Sequence, residues 1–361
     1  MRRFPLVLVL LGLAPVPARA GAADEWVGQT VFPIKDRLPL CDASGKAIGE
    51  FSYSGTVARE LGEWLEIRHV IHPGPYVGRV KKAEVVRAAG AEKFFSEKIK
   101  ADSKNTWAYR NRATVRVLNK DHDGAIDDLT AAIDLDPHFS LYVERGRARR
   151  AKGDPDGAVK DYDEALRLEP GYSVALNNRG VLWEAKGRLD AAIEDYTAAI
   201  KSDPKYSTPW RNRGLVYQRK GDYEQAARDF AEAGRLDPTS TLLMDDLAWL
   251  LATCPDGTVR NGKRALELAK RACELTGFNE PLLLETLAAA CAETGDFAKA
   301  TEYQKKVLTD KEYEKRFGAG TREKLKLYES EKAFRTIPPK GVAIKPPAPE
   351  TPTSKPRSEQ K

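Results

Sequence analysis

Residues that carry chemistry are scarce in this chain. Among 361 residues there are four cysteines, four histidines and two methionines. His69 and His72 form an H-x-x-H pair with Cys41 upstream, but a zinc site takes three or four ligands in supporting geometry, so neither metal nor cofactor is expected. No G-x-S-x-G elbow, phosphate-binding P-loop or H-E-x-x-H helix occurs, and the many acidic residues are what solvated helices carry. No catalytic residues are expected. Beyond residue 17 the chain also lacks an apolar run near the about 20 residues that a membrane-spanning helix requires. Positive charge is missing from the body of the chain as well. The formal net charge of +6 resides at the ends: Arg2, Arg3 and Arg19 lie in residues 1–20, and five basic residues outnumber two acidic ones in residues 337–361. The stretch between is neutral, which removes the basic footprint that a nucleic-acid partner needs.

What the chain does have begins at its first residues. Arg2 and Arg3 precede an apolar stretch from Phe4 to Pro17, and Ala18-Arg19-Ala20 puts small residues around a cleavage point. That order of charge, apolar run and small-x-small is the order of a secretory signal peptide. A membrane anchor would need a longer run, uninterrupted by Pro5, Pro15 and Pro17. With no cysteine near the cleavage point, no lipid anchor is indicated there. The mature chain is expected beyond the inner membrane, periplasmic or secreted, with no integral membrane segment after cleavage.

Self-similarity dominates the remainder. The segments IDLDPHFS, LRLEPGYS, IKSDPKYS and GRLDPTS set Pro137, Pro170, Pro204 and Pro238 at spacings of 33, 34 and 34. Counting back 24 residues from each proline gives Ala113, Gly146, Gly180 and Gly214; counting back 12 gives Ala125, Ala158, Ala192 and Ala226; counting back 8 gives Leu129, Tyr162, Tyr196 and Phe230. This register predicts pairs of helices of about a dozen residues each. Small residues let two backbones approach, and Lys120-Asp121, Gly153-Asp154, Gly187-Arg188 and Gly221-Asp222 turn the chain between them. The larger residue is expected to fill the space between neighbouring pairs. The proline ends the second helix, because it lacks a donor and clashes with the preceding turn. Beyond Pro238 the pattern continues in altered form, with Ala248 and Ala265, then Ala288 and Ala300, at the small positions. Those separations are 17 and 12 residues, against 12 in the first four pairs, so five residues are inserted around CPDGTVRNG. Upstream, Ala91, Phe95 and Ser103 fit a half pair, and TREKLKLYESEKAF reads as the capping helix that an otherwise exposed last pair requires.

With small residue, alanine, aromatic and proline at positions 8, 20, 24 and 32 of a 34-residue unit, the register resembles the tetratricopeptide-repeat (TPR) family. Trp210, Gly214, Tyr217, Ala226, Phe230, Ala233 and Pro238 match its pattern in one repeat almost completely. The resemblance implies a TPR α-solenoid whose concave face takes a protein or an extended peptide. In the family, positions 2, 5, 9, 12 and 13 of each first helix, often with 6, face that surface. Carried over, they are Trp107, Arg110 and Asn111 in repeat one, Glu144, Arg147 and Arg150 in repeat two, Asn177, Asn178 and Glu184 in repeat three, and Arg211, Asn212, Gln218 and Arg219 in repeat four. Arginine forks and side-chain amides suit a peptide's carboxylates and backbone. The chaperone-type carboxylate clamp wants Lys and Asn at positions 5 and 9 of one repeat, which Arg110 and Thr114 do not supply.

Position 7 departs from the family. Arg112, Arg145, Arg179 and Arg213 stand where an apolar residue is usual, in step with Asp128, Asp161, Asp195 and Asp229 at position 23. We expect a structural ladder of Arg–Asp pairs between helices, each rung worth about 0–1 kcal/mol if exposed; left unpaired, the arginines would face a ligand instead. Cys254 and Cys273 fall toward opposite ends of an antiparallel pair, beyond the about 7 Å that a disulfide spans. They and Cys291 read as small buried apolar residues.

Residues 26–87 have another texture, with short β-branched and aromatic runs split by Gly and Pro, which predicts several short strands. GEWLEIRHV followed by GRVKKAEVV, with Trp64 and a terminal G-x-V, resembles bacterial SH3-like domains. The seven prolines of residues 337–361 predict a disordered spacer. The expected order is signal peptide 1–20, SH3-like β domain 21–88, linking half-repeat helix 89–103, six repeats over 104–312 (about 104–137, 138–170, 171–204, 205–238, 239–277 and 278–312), capping helix 313–336 and tail 337–361. The fold class is mainly α, a solenoid preceded by a small SH3-like β-barrel. The expected function is a non-catalytic protein-interaction scaffold of the cell envelope. The alternative is a cell-wall-associated protein whose SH3-like domain holds peptidoglycan while the repeats position a partner enzyme.

Overall fold

The computed structural model describes residues 28–339, apart from 43, 45, 52, 53, 72 and 73. The signal-peptide reading of residues 1–20, the tail from residue 340 onward and His72 of the H-x-x-H pair therefore lie outside the described residues. The chain divides into two compact units, Met1–Asn178 and Arg179–Lys361.

The first unit opens with seven strands: β1 (Thr30–Pro33), β2 (Leu38–Cys41), β3 (Ala47–Phe51), β4 (Gly55–Leu61), β5 (Trp64–Ile71), β6 (Gly74–Lys81) and β7 (Val85–Arg87). They form one antiparallel sheet in the order β3-β2-β6-β5-β4-β1-β7. Side-chain alternation puts Val31, Leu38, Leu40, Phe51, Val57, Leu65, Ile67 and Val80 into one buried cluster. Gly78 is required where β2 meets β6, because a Cβ there would stand 2.3 Å from Leu40 Cγ. The next residue along β1 points the other way: Phe32 meets Phe95 edge-on at 5.9 Å between ring centres, and Phe95 meets Trp107 at 5.3 Å. This apolar stack ties the sheet to α1 (Ala88–Ala101) and α2 (Thr106–Leu118).

From there the chain is helical hairpins. The first unit continues with α3 (His122–Leu135), α4 (Phe139–Lys152), α5 (Pro155–Leu168) and the start of α6 (Ser173–Ala185). The second holds the rest of α6, then α7 (Leu189–Ser202), α8 (Ser207–Lys220), α9 (Tyr223–Leu236), α10 (Thr241–Thr253), α11 (Gly262–Leu275), α12 (Pro281–Glu293), α13 (Phe297–Val307) and α14 (Lys311–Glu329). No described helix is long and apolar enough to cross a membrane.

Local chemistry sets these limits. Asp121, Asp154 and Asp222 cap α3, α5 and α9 by accepting from the backbone N–H three residues on. Gly153 and Gly221 end α4 and α8 in the left-handed region at φ 93° and 82°. Lys120 takes the same turn at φ 65° without a glycine's freedom. Each repeat proline stands two residues past its helix, and the residue before it is driven out of the helical region, to extended backbone at Asp203.

The glycines at position 8 meet rings. A Cβ on Gly146 would lie 2.7 Å from Tyr162, one on Gly180 2.8 Å from Tyr196, and one on Gly214 2.8 Å from Phe230. The aromatic at position 24 is thus seated on the glycine of its own helix pair, and Leu129, Tyr196 and Phe230 also share buried clusters with Leu141, Val216 and Met244 of the next pair, the expected filling between neighbouring pairs. A backbone without Cβ leaves a ring-sized hollow, and the nearest large side chain occupies it.

Candidate partner-binding surface

Each position-7 arginine meets the position-23 aspartate of its own pair with two donors. Arg112 Nε and Nη2 donate to Asp128 at 2.9 and 2.6 Å, and Arg145 Nε and Nη2 to Asp161 at 3.1 and 2.8 Å. Arg179 reaches Asp195 at 2.8 and 2.7 Å, and Arg213 reaches Asp229 at 2.8 and 2.9 Å. The aspartate side chains are only 2–8% exposed, so these are buried pairs. In the first two pairs a second arginine one turn on, Arg116 or Arg149, lies 3.0 or 2.9 Å from the same carboxylate. The third guanidinium nitrogen of Arg112, Arg145 and Arg213 donates to Ser96, Thr130 or Thr197 on the preceding helix. Each of these arginines also stacks over an aromatic ring, Tyr109, Tyr142 or Trp210. The bond to Asp128 is the main cause that raises Arg112 above its ordinary pKa. These arginines are engaged within the fold.

The expected groove residues divide by their partners. In the first unit Trp107 is held in its aromatic stack, and Asn111 is buried with its amide donating to the Trp107 carbonyl at 2.9 Å. Arg110 forks onto Glu144 of the next pair. Asn177 is buried and Asn178 half-buried. Arg147 is exposed and Arg150 half-buried, and neither has a carboxylate within ion-pair distance among the described residues. Both act electrostatically on Tyr162, whose fully buried hydroxyl has no hydrogen-bond partner. Burial pushes that phenol up to about 12.

In the second unit Glu184 accepts from Arg219 at 2.8 Å and from the Tyr196 hydroxyl at 3.4 Å. Arg211 pairs with Asp246 of the following repeat, while Asn212 and Gln218 are half-buried. Position 5 of one repeat thus binds the acid at position 6 of the next in both units, Arg110 to Glu144 and Arg211 to Asp246. Those cations are neutralised internally.

The last two pairs hold polar groups that the register did not single out. Glu285, in the mostly apolar helix α12, is 1% exposed. It accepts from Thr321 Oγ1 at 3.0 Å, Tyr313 Oη at 3.1 Å and Lys324 Nζ at 3.3 Å, so α14 is clamped through one buried carboxylate. A lone acid in LLLETLAAACA was the available signal. Cys254, Cys273 and Cys291 are buried free thiols, and burial pushes them up to about 11, 12 and 11. Cys41 is a half-buried free thiol. No group of three metal-ligating side chains occurs among the described residues.

Family models described as tetratricopeptide repeat match residues 143–207 and 188–315. Those helices are tetratricopeptide repeats. TPR proteins are in general interaction scaffolds that bind protein or peptide partners, and no enzymatic family is indicated. Among solved structures the chain is similar to MamA, at 24% identity over 42% of this chain and 89% of that one with a TM-score of 0.39. It is similar to YrrB, described as a TPR protein with an unusual peptide-binding site, at 22% identity over 44% and 81% with a TM-score of 0.37. It is also similar to pilF of Pseudomonas aeruginosa, at 18% identity over 64% and 99% with a TM-score of 0.48. No curated protein matches the chain.

Proposed function

We propose that this TPR protein is a non-catalytic scaffold of the cell envelope that takes an acidic, extended stretch of a protein partner on the inward positions of its first helices. What supports this reading is the pairing of the arginines. Arg110, Arg211 and Arg219 are neutralised by acids of neighbouring repeats. Arg147 and Arg150 are three residues apart on α4, share a helix face and keep their guanidinium forks for carboxylates that the fold does not supply. Asn178, half-buried, is the accessible amide at an inward position of the next repeat. The envelope location rests on the signal-peptide pattern of residues 1–20. The sheet at residues 30–87, with its SH3-like pattern, is a second contact surface; in the alternative reading it holds peptidoglycan and the repeats position an enzyme.

Photocrosslinking from Arg150 in the mature chain, in envelope extract, tests the reading. We expect one crosslinked partner, lost when Arg147 is replaced by Glu and competed by polyglutamate peptide. A crosslinking pattern unchanged by Arg147→Glu would overturn it. Sedimentation of the intact chain with purified wall material, unaffected by polyglutamate, would favour the alternative.

A further inference from the structure

Helix α10 ends differently from the first helices of the earlier pairs. At the end of α4, Gly153 and Asp154 turn back and donate their N–H groups to the Arg150 and Arg149 carbonyls, which satisfies carbonyls that lack an intrahelical donor. Helix α10 ends on Cys254-Pro255 and the inserted residues. Cys254 N–H reaches the Leu250 carbonyl and Asn261 N–H reaches that of Leu251, but Pro255 has no N–H to offer, and the Ala252 and Thr253 carbonyls are left for another donor.

The donor comes from the far end of the chain. Thr336 N–H and Oγ1 donate to the Thr253 carbonyl at 2.9 and 3.1 Å, and Arg335 Nη1 reaches the Ala252 carbonyl at 3.4 Å. A cation is favoured there, because the carbonyl end of a helix carries partial negative charge. Arg335 is also ion-paired with Glu293 at 2.5 Å. Phe334 packs on Trp249 at 5.9 Å between ring centres, with the Lys324 ammonium over both rings. The insertion shapes this site: Arg260, inside it, holds Glu293 from the other side at 3.1 Å while donating to the Cys254 carbonyl at 2.9 Å. By register, Trp249, Ala252 and Thr253 are positions 9, 12 and 13 of repeat five, and Glu293 is position 13 of repeat six, the positions that in repeats one to four were assigned to a partner.

This segment is laid on the fold without being part of its core. None of residues 331–339 is buried, and Ile337 is 90% exposed. The capping function belongs to α14, which is held by its own clamp on Glu285. We propose that the end of α10, with Trp249 and Glu293, is a peptide-binding site whose resident occupant is the chain's own residues 332–337, and that an extended partner segment with an aromatic residue, an arginine and a hydroxyl residue in succession exchanges with it. The aromatic fills the space against Trp249, the arginine bridges the helix end and Glu293, and the backbone N–H of the third residue satisfies the Thr253 carbonyl. A segment with few buried groups and a handful of bonds opens locally at much lower cost than the core, which makes the occupant exchangeable. The site is separate from Arg147 and Arg150, and its fate does not depend on that reading.

The probe is a fluorescein-labelled peptide of residues 332–337 (KAFRTI), titrated against the full chain and against full-length F334A/R335A. The variant, with its own segment weakened, should bind the peptide at least tenfold more tightly than wild type, and adding Glu293→Gln should cost most of that gain. Equal binding to wild type and variant, with helicity retained, would overturn the proposal. Hydrogen exchange on the wild-type chain provides a second reading that needs no variant. The Thr336 amide should be protected, and saturating unlabelled peptide should remove that protection while leaving the core of α10 unchanged. A Thr336 amide that exchanges freely, or one whose protection saturating peptide does not alter, overturns it as well.

Discussion

The same place in the repeat is built in two ways. In the first four pairs, positions 7 and 23 hold a buried Arg–Asp rung. In the last two, the same positions hold Leu247 with Leu268, and Leu287 with Tyr303, all part of or packed against one apolar cluster with the alanines and cysteines of α10 to α13. Both solutions keep helix pairs together, but by different physics. An apolar pair is stabilised by removal from water, without directional demands. An ion pair loses hydration and must regain it through geometry, which all four rungs do with bidentate contacts, and those of Arg112, Arg145 and Arg213 also with a serine or threonine from the preceding helix and an aromatic ring beneath the guanidinium. The repeat thus constrains the volume and the satisfaction of this position, and leaves its polarity open.

The sharpest way to break the comparison is to remove half of a rung. Asp161→Ala leaves Arg145 and Arg149 facing each other without their shared carboxylate, and should cost about 3–5 kcal/mol, read as a lowered denaturation midpoint by circular dichroism. A loss below about 1 kcal/mol would mean that the rung behaves as a surface pair. Next in size is the hollow beside the position-8 glycines of repeats two to four. Gly180→Ala drives a methyl group into the Tyr196 ring and should cost about 1–3 kcal/mol; pairing it with Tyr196→Leu should recover part of the loss. Replacing a whole rung sharpens the point: R213L/D229L imitates repeat five and should fall within about 1.5 kcal/mol of wild type, although either single change is costly. The smallest effect concerns the turn that lacks its glycine. Lys120→Gly should raise stability by about 0.5–1 kcal/mol, because a left-handed residue with a Cβ is strained, whereas the reverse change at Gly187 should lower it.

Most of the helical architecture was legible because its determinants are local. Prolines, turn glycines, capping aspartates and alanines act within a few residues of where they stand, and repetition multiplies a weak signal into a firm register. The rungs were legible as a register because Arg and Asp recur in step, but their burial was not, since burial depends on what the next helix brings. The glycine seat beneath each position-24 ring was not legible for a related reason: spacing says which residues are large, and only packing says which hollow each one fills. Of the expected surface residues, Arg147 and Arg150 stand apart from Arg110, Arg211 and Arg219, and no single-repeat pattern separates them, because the neutralising acid lies in another repeat. Glu285 and the contacts of residues 334–336 were beyond reach: Thr336 and Thr253 are 83 residues apart, and no periodicity links them.

By itself the sequence determined that this chain makes paired helices after a stretch of strands, and that a charge of each sign recurs at fixed positions; these follow from backbone sterics, capping and hydrophobic spacing. The tertiary structure alone decided which charges are neutralised, which ring sits on which glycine, and that residues 334–336 meet the end of α10. The physical reason is that neutralisation, packing and the satisfaction of a helix end depend on distances between groups remote along the chain, and those distances exist only once the helices have stacked.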